Sequence, residues 1–355
     1  MAVDDTWTAC FRDCCRSGDV NLAVPKHEFA GNLRQIHDGP ASAVYLGRFG
    51  DKAIAVKKPK LPTKAEIDRY HVELRLMLSL DHPHVLTLCG ARASPPEYYL
   101  LFPYQENGSV AQLVHEQGWR PSWSASLILL QELAAAMAYV HSIGYVHRDI
   151  KPANVLIGAD WVARLADFGL AEEERVLRES LQAAIYSTED AEGKQVSGRY
   201  VVRQGTAAAP SGGFQKQHML GTMQYMAPEV LMRRVPSYPA DVYAYAIFAA
   251  ETTTGVLPFA DRARNVALAH TVLDMSYNEA DLAKAIASEG LRPSLPTGTE
   301  EGSAASASAL SEYVERCWVL DPNDRPTFVD VQKELDAIAA AYLKSTGAPS
   351  LRRVW

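Results

Sequence analysis

The apolar pattern of the chain changes once, near Gly108, and this change limits the fold more than any other feature of the sequence. Before it, compact apolar runs at 43–46 and 53–56 are separated by Gly47 and Gly50 and predict short strands. After it, apolar residues recur at helical spacing, in a stripe made of Leu127, Leu130, Ala134, Met137 and His141. A strand-rich first part followed by a helix-rich second part predicts an α+β chain with two lobes.

The first part also contains one predicted helix. Thr63 and Glu66 have the spacing of a capping box, in which each side chain binds the other's backbone N–H at the first turn. Two further strand-like stretches follow at 85–88 and 98–102, and the proline and the Asn-Gly pair in 103–108 indicate a connector. Two later regions lack periodicity and are predicted to be loose, 171–217 and 295–309.

The composition is that of a globular protein, with 355 residues, 48% of them hydrophobic and 22% charged. The formal net charge of -7 offers no basic field, so we expect no nucleic-acid partner. No run approaches the ~18 apolar residues of a spanning helix, so no transmembrane segment is expected.

The cysteines give evidence about the cellular compartment of the protein. The five cysteines form no CxxC pair, which favours a reducing cytoplasmic setting, with the nucleus as the alternative. Cys10, Cys14 and Cys15 could accept lipid, but Ala2 replaces the glycine that myristoylation requires and no polybasic run is nearby. Packing of this extension on the first lobe is therefore favoured over a membrane tether.

Oxygen-bearing side chains recur in the helix-rich part. Asp149 and Asn154 stand in the run His147-Arg148-Asp149-Ile150-Lys151-Pro152-Ala153-Asn154, and Asp167 follows in Asp167-Phe168-Gly169. Carboxylate and amide oxygens suit Mg²⁺, with Mn²⁺ as the alternative. Phosphoryl transfer needs such a metal, a cation on the phosphates and a base that aligns the attacking hydroxyl.

These runs, with Ala55-Val56-Lys57 and Ala227-Pro228-Glu229, occur in the order found in the eukaryotic protein-kinase family, which the sequence resembles over about residues 29–343. The resemblance implies a bilobal protein-kinase fold, with a small β-rich N-lobe that contains one long helix and a large helical C-lobe. It also implies ATP as the phosphoryl donor and proteins as substrates.

The resemblance assigns chemistry to matching positions. Asp149 corresponds to the catalytic base, and Asn154 and Asp167 correspond to the metal ligands. Lys57 corresponds to the lysine that holds the α- and β-phosphates, and Glu73 to its partner on the helix. The supporting positions are His147, Arg148, Phe168, Gly169, Glu229, Asp241 and Arg325.

Two of these supporting positions have specific partners in the family. Arg325 resembles the buried partner of Glu229. The loss of one member of such a pair leaves the charge of the other buried without a partner. Asp241 resembles the aspartate that props the catalytic loop. His147 and Phe168, with Met77, resemble the hydrophobic spine of an assembled kinase.

The nucleotide pocket follows from the same resemblance. Phe102 falls at the gatekeeper position, and the backbone of Pro103 and Tyr104 is expected to bind adenine. In the family, a loop that covers the phosphates contains three glycines before a valine. Alignment of Val44 with that valine places His37, Gly39 and Ser42 at the three glycine positions. This glycine-poor loop predicts weaker ATP affinity. The predicted ATP-binding residues are Ile36, Gly39, Val44, Ala55, Lys57, Phe102, Pro103, Tyr104, Leu156 and Asp167.

Lys151 and Thr222 indicate the substrate class. Both resemble residues that hold the acceptor hydroxyl in serine/threonine-specific kinases, so both are assigned to the catalytic group. Cys317-Trp318 and Arg325-Pro326-Thr327-Phe328 look most like the tyrosine-kinase-like branch of the family.

The expected organisation has three parts. An N-terminal extension covers 1–28, the kinase domain covers 29–343, and a tail at 344–355 is expected to fray. Within the domain, the expected parts are the N-lobe at about 29–102, the hinge at 103–108, the C-lobe at 109–343 and an activation-segment insertion at about 171–217.

The insertion suggests regulation. Leu177, Leu181 and Ala184 have helical spacing, so one hypothesis is a short helix that docks near the cleft; a solvated loop is the favoured alternative. Arg148 resembles an arginine that binds a phosphorylated loop residue, which implies an upstream kinase as a partner. The candidate acceptors are Ser180, Ser187, Thr188, Ser197 and Thr206.

Two other functions remain open from the sequence. The glycine-poor loop motivates a pseudokinase scaffold with weak nucleotide binding. A small-molecule phosphotransferase of related architecture is disfavoured by Ala227-Pro228-Glu229 and the helices that follow it.

Overall fold

The structure is a computed structural model that describes residues 33–94, 97–179, 223–262, 279–296 and 303–353. The extension 1–28 with its three cysteines, the residue Thr222 and the five candidate phosphoacceptors lie outside the described residues.

A five-stranded antiparallel sheet forms the first lobe, in the spatial order β1-β2-β3-β5-β4. Its strands are β1 (Arg34–Asp38), β2 (Ser42–Phe49), β3 (Lys52–Pro59), β4 (Gly90–Ser94) and β5 (Glu97–Pro103). One face of the sheet carries a small apolar cluster around Val56 and Leu101. The opposite face, which carries Lys57, looks toward the helix and the cleft.

Helix α1 (Lys64–Ser79) is the single long helix of this lobe among the described residues. The predicted capping box is confirmed, because the Thr63 hydroxyl accepts the Glu66 N–H and the Glu66 carboxylate accepts the Thr63 N–H. Tyr70, Leu74 and Met77 are buried on one side of the helix. This packing fixes the rotation of α1 and turns Glu73 toward β3.

The second lobe is helical. Its helices are α2 (Trp123–Ser142), α3 (Pro228–Leu231), α4 (Tyr238–Thr254), α5 (Glu279–Ser288), α6 (Ala304–Cys317) and α7 (Phe328–Thr346). Helices α2 and α4 form the centre, and the predicted α2 stripe is buried at Leu127, Leu130, Ala134 and Met137. The predicted bilobal fold is confirmed.

Helix α2 is long and apolar enough to cross a membrane, the single such helix among the described residues. In the most apolar 18-residue stretch of this helix, 72% of the residues are buried inside the protein. Burial of this kind is what the central helix of a folded domain shows.

Short hairpins at the junction of the lobes hold the loop 147–154. Strand β6 (Tyr145–Val146) pairs with β9 (Glu172–Glu173), and β7 (Val155–Ile157) pairs with β8 (Ala163–Leu165). A single 3₁₀ turn, Pro152–Asn154, leads from the loop into β7. The hairpins therefore bring both ends of the loop beside the segment that contains Asp167.

Three local predictions differ from the structure. Residues 85–88 do not form a strand: Val85 makes an isolated bridge to Leu165, and its burial explains the apolar run. Residues 304–309 are helical, because Ser306 and Ala307 pack into the core on the first turns of α6. Pro103 ends β5, so the connector begins one residue later than predicted.

The end of the domain also differs from the prediction. Helix α7 continues to Thr346, and Gly347 ends it in the left-handed conformation with φ 68°. The tail then packs on the second lobe instead of fraying. The Arg352 N–H donates to the Ser124 hydroxyl at 2.7 Å, and the Arg353 guanidinium binds the Glu132 carboxylate and the Trp161 carbonyl.

Candidate active site

Asp241, at the start of α4, supports the loop that carries the predicted base. Its carboxylate is buried and accepts the backbone N–H groups of His147 and Arg148, both at 2.8 Å. It also contacts the Nε2 atom of His141 at 2.9 Å. Arg148 has a φ of 70°, a conformation that non-glycine residues rarely adopt. The two hydrogen bonds to Asp241 hold the loop in that strained shape.

Asp149 lies in the resulting loop with two neighbours that the sequence predicted. The Lys151 ammonium donates to both carboxylate oxygens, at 2.9 and 2.7 Å. The Asn154 amide nitrogen donates to the Asp149 carboxylate and to its backbone carbonyl, each at 2.8 Å. These contacts fix the orientation of the Asp149 carboxylate.

Lys57, Glu73 and Asp167 form an ion cluster across the cleft. The Lys57 ammonium lies 2.9 Å from Glu73 Oε1 and 2.8 Å from Asp167 Oδ1. Desolvation acts to lower the pKa of Lys57, but the charges of Asp167 and Glu73 outweigh it and raise that pKa above its ordinary value. The Lys57 charge in turn lowers the pKa of Asp167 to about 2. Lys57 and Asp167 are therefore both charged at neutral pH.

The residues next to Asp167 pack into the core. Phe168 is buried, and its ring meets the His147 ring edge-on at 4.8 Å. Burial lowers the pKa of His147, so this imidazole is neutral in the core. A Cβ on Gly169 would lie 3.4 Å from Asp167 Oδ1, which is ordinary contact. Met77, the third predicted member of the spine, is buried in the same core cluster as Phe168.

Glu229 and Arg325 form the predicted buried pair. The two guanidinium nitrogens of Arg325 donate to the two carboxylate oxygens at 2.7 and 2.8 Å. Arg325 also donates to the Pro239 and Val319 carbonyls, which satisfies further donors. The pair ties the start of α3 to the segment between α6 and α7.

The predicted adenine pocket lies beneath the sheet. Val44 and Ala55 are on the Lys57 side of their strands, and Phe102 pairs with Ala55 in the sheet register. Leu156, on β7, is half-buried against the same core as Ala55. Ile36 is exposed in β1 at a bulge, and Gly39 lies in the β1–β2 turn. The sheet register places Val44, Ala55 and Phe102 on one face with Lys57, and the contacts of all these residues with nucleotide remain predictions.

The hinge differs in detail from the prediction. The Tyr104 N–H donates to the Ala53 carbonyl at 3.2 Å, and Pro103 has no N–H, so the backbone donors of this pair are not available to adenine. Gln105, which the sequence analysis did not select, is buried beside them. Its side chain donates to the Pro103 carbonyl at 3.1 Å and accepts from Arg164 at 3.2 Å. A buried glutamine in a connector rich in polar residues gives no pattern that would single it out.

The sequence analysis also missed a buried carboxylate on α4. Glu251 accepts the Tyr225 hydroxyl at 2.5 Å and contacts His115 Nε2 at 2.8 Å. The available signal was a glutamate at the end of the apolar run 242–250. This cluster attaches the segment just before α3 to the core helix.

The start of the predicted activation segment is ordered by Glu172. Its carboxylate accepts a hydrogen bond of 2.5 Å from the Arg148 guanidinium. Residues 174–179 are helical, with Leu177 buried, so the favoured expectation of a loose, solvated loop is wrong for these residues. Docking of this helix near the cleft stays a prediction. The rest of that predicted helix, with Leu181 and Ala184, lies outside the described residues.

Comparison with known proteins matches the chain to the protein kinase domain over residues 31–189 and 201–335. A rice (Oryza sativa subsp. japonica) protein kinase and PP2C-like domain-containing protein is 40% identical over 334 residues, which is 93% of this chain and 47% of the relative. A relative with the same description in Arabidopsis thaliana is also 40% identical, over 93% of the chain and 46% of the relative. The Arabidopsis serine/threonine/tyrosine-protein kinase HT1 is 26% identical over 87% of the chain and 65% of that protein. The chain thus spans about half the length of the first two relatives.

Proposed function

Because the chain belongs to the protein kinase family, we propose that it transfers the γ-phosphoryl group of Mg-ATP to serine or threonine hydroxyls of other proteins. Several relatives carry serine/threonine-protein kinase names, which supports that substrate class. The full protein's substrates and partners belong to the proposal as well.

The observation that carries the proposal is the ion cluster of Lys57. Its ammonium bridges Glu73 from α1 and Asp167 from the second lobe, at 2.9 and 2.8 Å. A cation held between the lobes in this way is positioned to neutralise phosphate charge at the mouth of the cleft. Lys57 thus provides fixed positive charge without rearrangement of the lobes.

The donor set fits a divalent cation. The Asp167 side chain is 47% exposed and remains ionised because of its low pKa. The Asn154 nitrogen makes both hydrogen bonds to Asp149, which leaves the amide oxygen as the atom for a hard cation. When bound, Mg²⁺ would neutralise phosphate charge and orient the phosphates. Asp167 and Asn154 are the residues that would hold it.

Asp149 is placed to act on the acceptor hydroxyl. Its carboxylate is fixed by Lys151 and Asn154, and the loop that carries it is fixed by Asp241. A carboxylate in this position orients a serine or threonine hydroxyl and accepts its proton. Lys151 would then stabilise the negative charge that develops beside it. Thr222, the other predicted acceptor contact, lies outside the described residues.

The pseudokinase alternative draws no support from the site. That alternative depended on the glycine-poor loop, whereas the residues of the predicted chemistry are all present. Lys57 contacts Glu73 and Asp167, and Asn154 contacts Asp149. A chain that had lost catalysis would not need this arrangement. Regulation through the long activation segment, and an upstream kinase that acts on it, stay part of the proposal.

The test is phosphoryl transfer by the purified chain, with Mg²⁺, labelled ATP and dephosphorylated casein as a generic acceptor. Lys57→Met and Asp167→Ala should each lower the rate by more than about a hundredfold, because each removes charge stabilisation from the transition state. Lys58→Met is the matched control, since the Lys58 ammonium lies over the Tyr45 ring on the other face of the sheet. Hydrolysis of the labelled casein should release phosphoserine and phosphothreonine. Equal background labelling by wild type and both variants would overturn the proposal.

A further inference from the structure

Residues 37–42, which cover the end of β1, the turn and the start of β2, offer few backbone donors for phosphate. The Gly39 N–H donates to the Ser42 carbonyl at 2.9 Å, inside the turn itself. Pro40 has no N–H. Glycine-rich phosphate loops work because successive backbone N–H groups point at phosphate oxygens. Two of the amides at the tip of this turn are therefore not available for that purpose.

A side chain on the same turn faces the cleft instead. His37 is the register partner of Val44, and Val44 is the register partner of Lys57. Directly opposed residues of antiparallel strands place their side chains on the same face of the sheet. Because Lys57 reaches Glu73 and Asp167 from that face, the register places the exposed His37 side chain on the cleft side of the sheet.

Gly39 lies against this imidazole. A Cβ on Gly39 would lie 2.9 Å from His37 Nε2, so a side chain at position 39 would make the ring rotate away. Glycine at position 39 thus allows the ring orientation that the structure shows.

The charge on the turn is also balanced. Asp38 follows His37, and its carboxylate would repel phosphate if it were unpaired. The Lys60 ammonium donates to Asp38 Oδ1 at 2.8 Å and to the Gly39 carbonyl at 2.7 Å. That hydrogen bond lowers the pKa of Asp38. Lys60 therefore pairs with the carboxylate and connects it to the turn.

On the basis of the proposed function, we propose that His37 is a phosphate ligand for the bound nucleotide. Its imidazole N–H donates to a phosphate oxygen, in place of the backbone N–H groups of a glycine-rich loop. The turn then binds nucleotide through side chains on a braced backbone.

The test compares ATP and ADP with adenosine, the nucleoside that carries no phosphate. In His37→Ala, the KM for Mg-ATP and the inhibition constant of ADP should rise about tenfold, the effect of losing one hydrogen bond to a charged group. The inhibition constant of adenosine should stay within about twofold of wild type, because adenosine has no phosphate to lose. His37→Gln keeps an N–H donor and should recover most of the affinity, and Lys58→Met should leave all three constants unchanged.

Two results would overturn the inference. One is an unchanged KM for Mg-ATP in His37→Ala, and the other is a loss of adenosine binding as large as the loss of ATP binding. The proposed function is tested separately by Lys57→Met. If wild type and Lys57→Met were equally inactive, calorimetric binding of ADP and adenosine to His37→Ala would still decide the role of His37.

Discussion

The guanidinium of Arg148 donates a hydrogen bond of 2.5 Å to the carboxylate of Glu172, on the strand that follows Asp167-Phe168-Gly169. The family resemblance suggested that Arg148 waits for a phosphorylated residue of the activation segment. In the structure, Arg148 binds the carboxylate of Glu172 instead. The charge of Arg148 is therefore balanced without phosphorylation of the activation segment. A phosphate on the segment would have to compete with Glu172 for Arg148.

We therefore expect the protein to keep a basal rate before any upstream kinase acts on its activation segment, and this basal rate to depend on Glu172. After phosphatase treatment, wild type should keep a measurable rate, whereas Glu172→Gln should lose about five- to tenfold of that rate, the effect of a charge-assisted hydrogen bond. Glu179→Gln is the control, because Glu179 is exposed and pairs only with the exposed Arg175 among the described residues. Rates on casein provide the measurement. A wild type that phosphatase inactivates completely would contradict this expectation.

The Glu229–Arg325 pair should matter more for stability than for chemistry. Arg325→Met leaves the buried Glu229 carboxylate without its partner and should lower the free energy of unfolding by about 3–5 kcal/mol. Denaturant unfolding monitored by fluorescence measures this loss. The double variant with Glu229→Gln should recover part of it, because no unpaired charge then remains buried. Equal losses in the single and double variants would show that packing, not charge, dominates.

The low pKa of Asp167 predicts how acid affects stability. A carboxyl group whose pKa falls on folding stabilises the protein above its unfolded pKa, near 4, and that contribution disappears as the pH falls through the folded value. Lys57 holds the Asp167 pKa at about 2. The stability difference between wild type and Asp167→Asn should be constant from about pH 5 to 8 and shrink below about pH 4. Urea unfolding over this range is the measurement; a difference that changes between pH 5 and 8 would contradict it.

The tail should contribute to folding through Arg353. Its guanidinium binds the buried Glu132 carboxylate, so Arg353→Leu should lower the unfolding free energy by about 1–3 kcal/mol. Arg352→Leu is a matched control, since residue Arg352 is exposed and its hydrogen bond to Ser124 uses the backbone N–H. A double-mutant cycle with Glu132→Gln isolates the pair. Equal effects at 352 and 353 would contradict a specific role of the pair.

Much of the architecture could be predicted because local patterns determine it. The Thr63–Glu66 capping box sets the start of α1 within one turn, and the spacing of Leu127, Leu130 and Ala134 sets the buried face of α2. The ordered motifs predicted which side chains would share the cleft, and the structure brings Lys57, Glu73 and Asp167 within hydrogen-bond distance.

The errors occurred where tertiary contacts override local pattern. Residues 85–88 are apolar because the core covers them, not because they form a strand. Residues 304–309 contain small residues that give no apolar stripe, yet Ala307 packs against its neighbours in the core. The Arg148–Glu172 contact links residues 24 positions apart, so no spacing rule could predict it.

The attachment of Arg353 beside Trp161 also fixes the position of the last described residues. Arg353 is held at the loop between β7 and β8, and the Arg352 N–H is held at Ser124. A tag fused after the tail would therefore start near that loop and not at Gly347, the end of α7. The reach of any linker is then measured from that loop, and shortening a fusion to Gly347 would change both the geometry and the freedom of whatever is joined there.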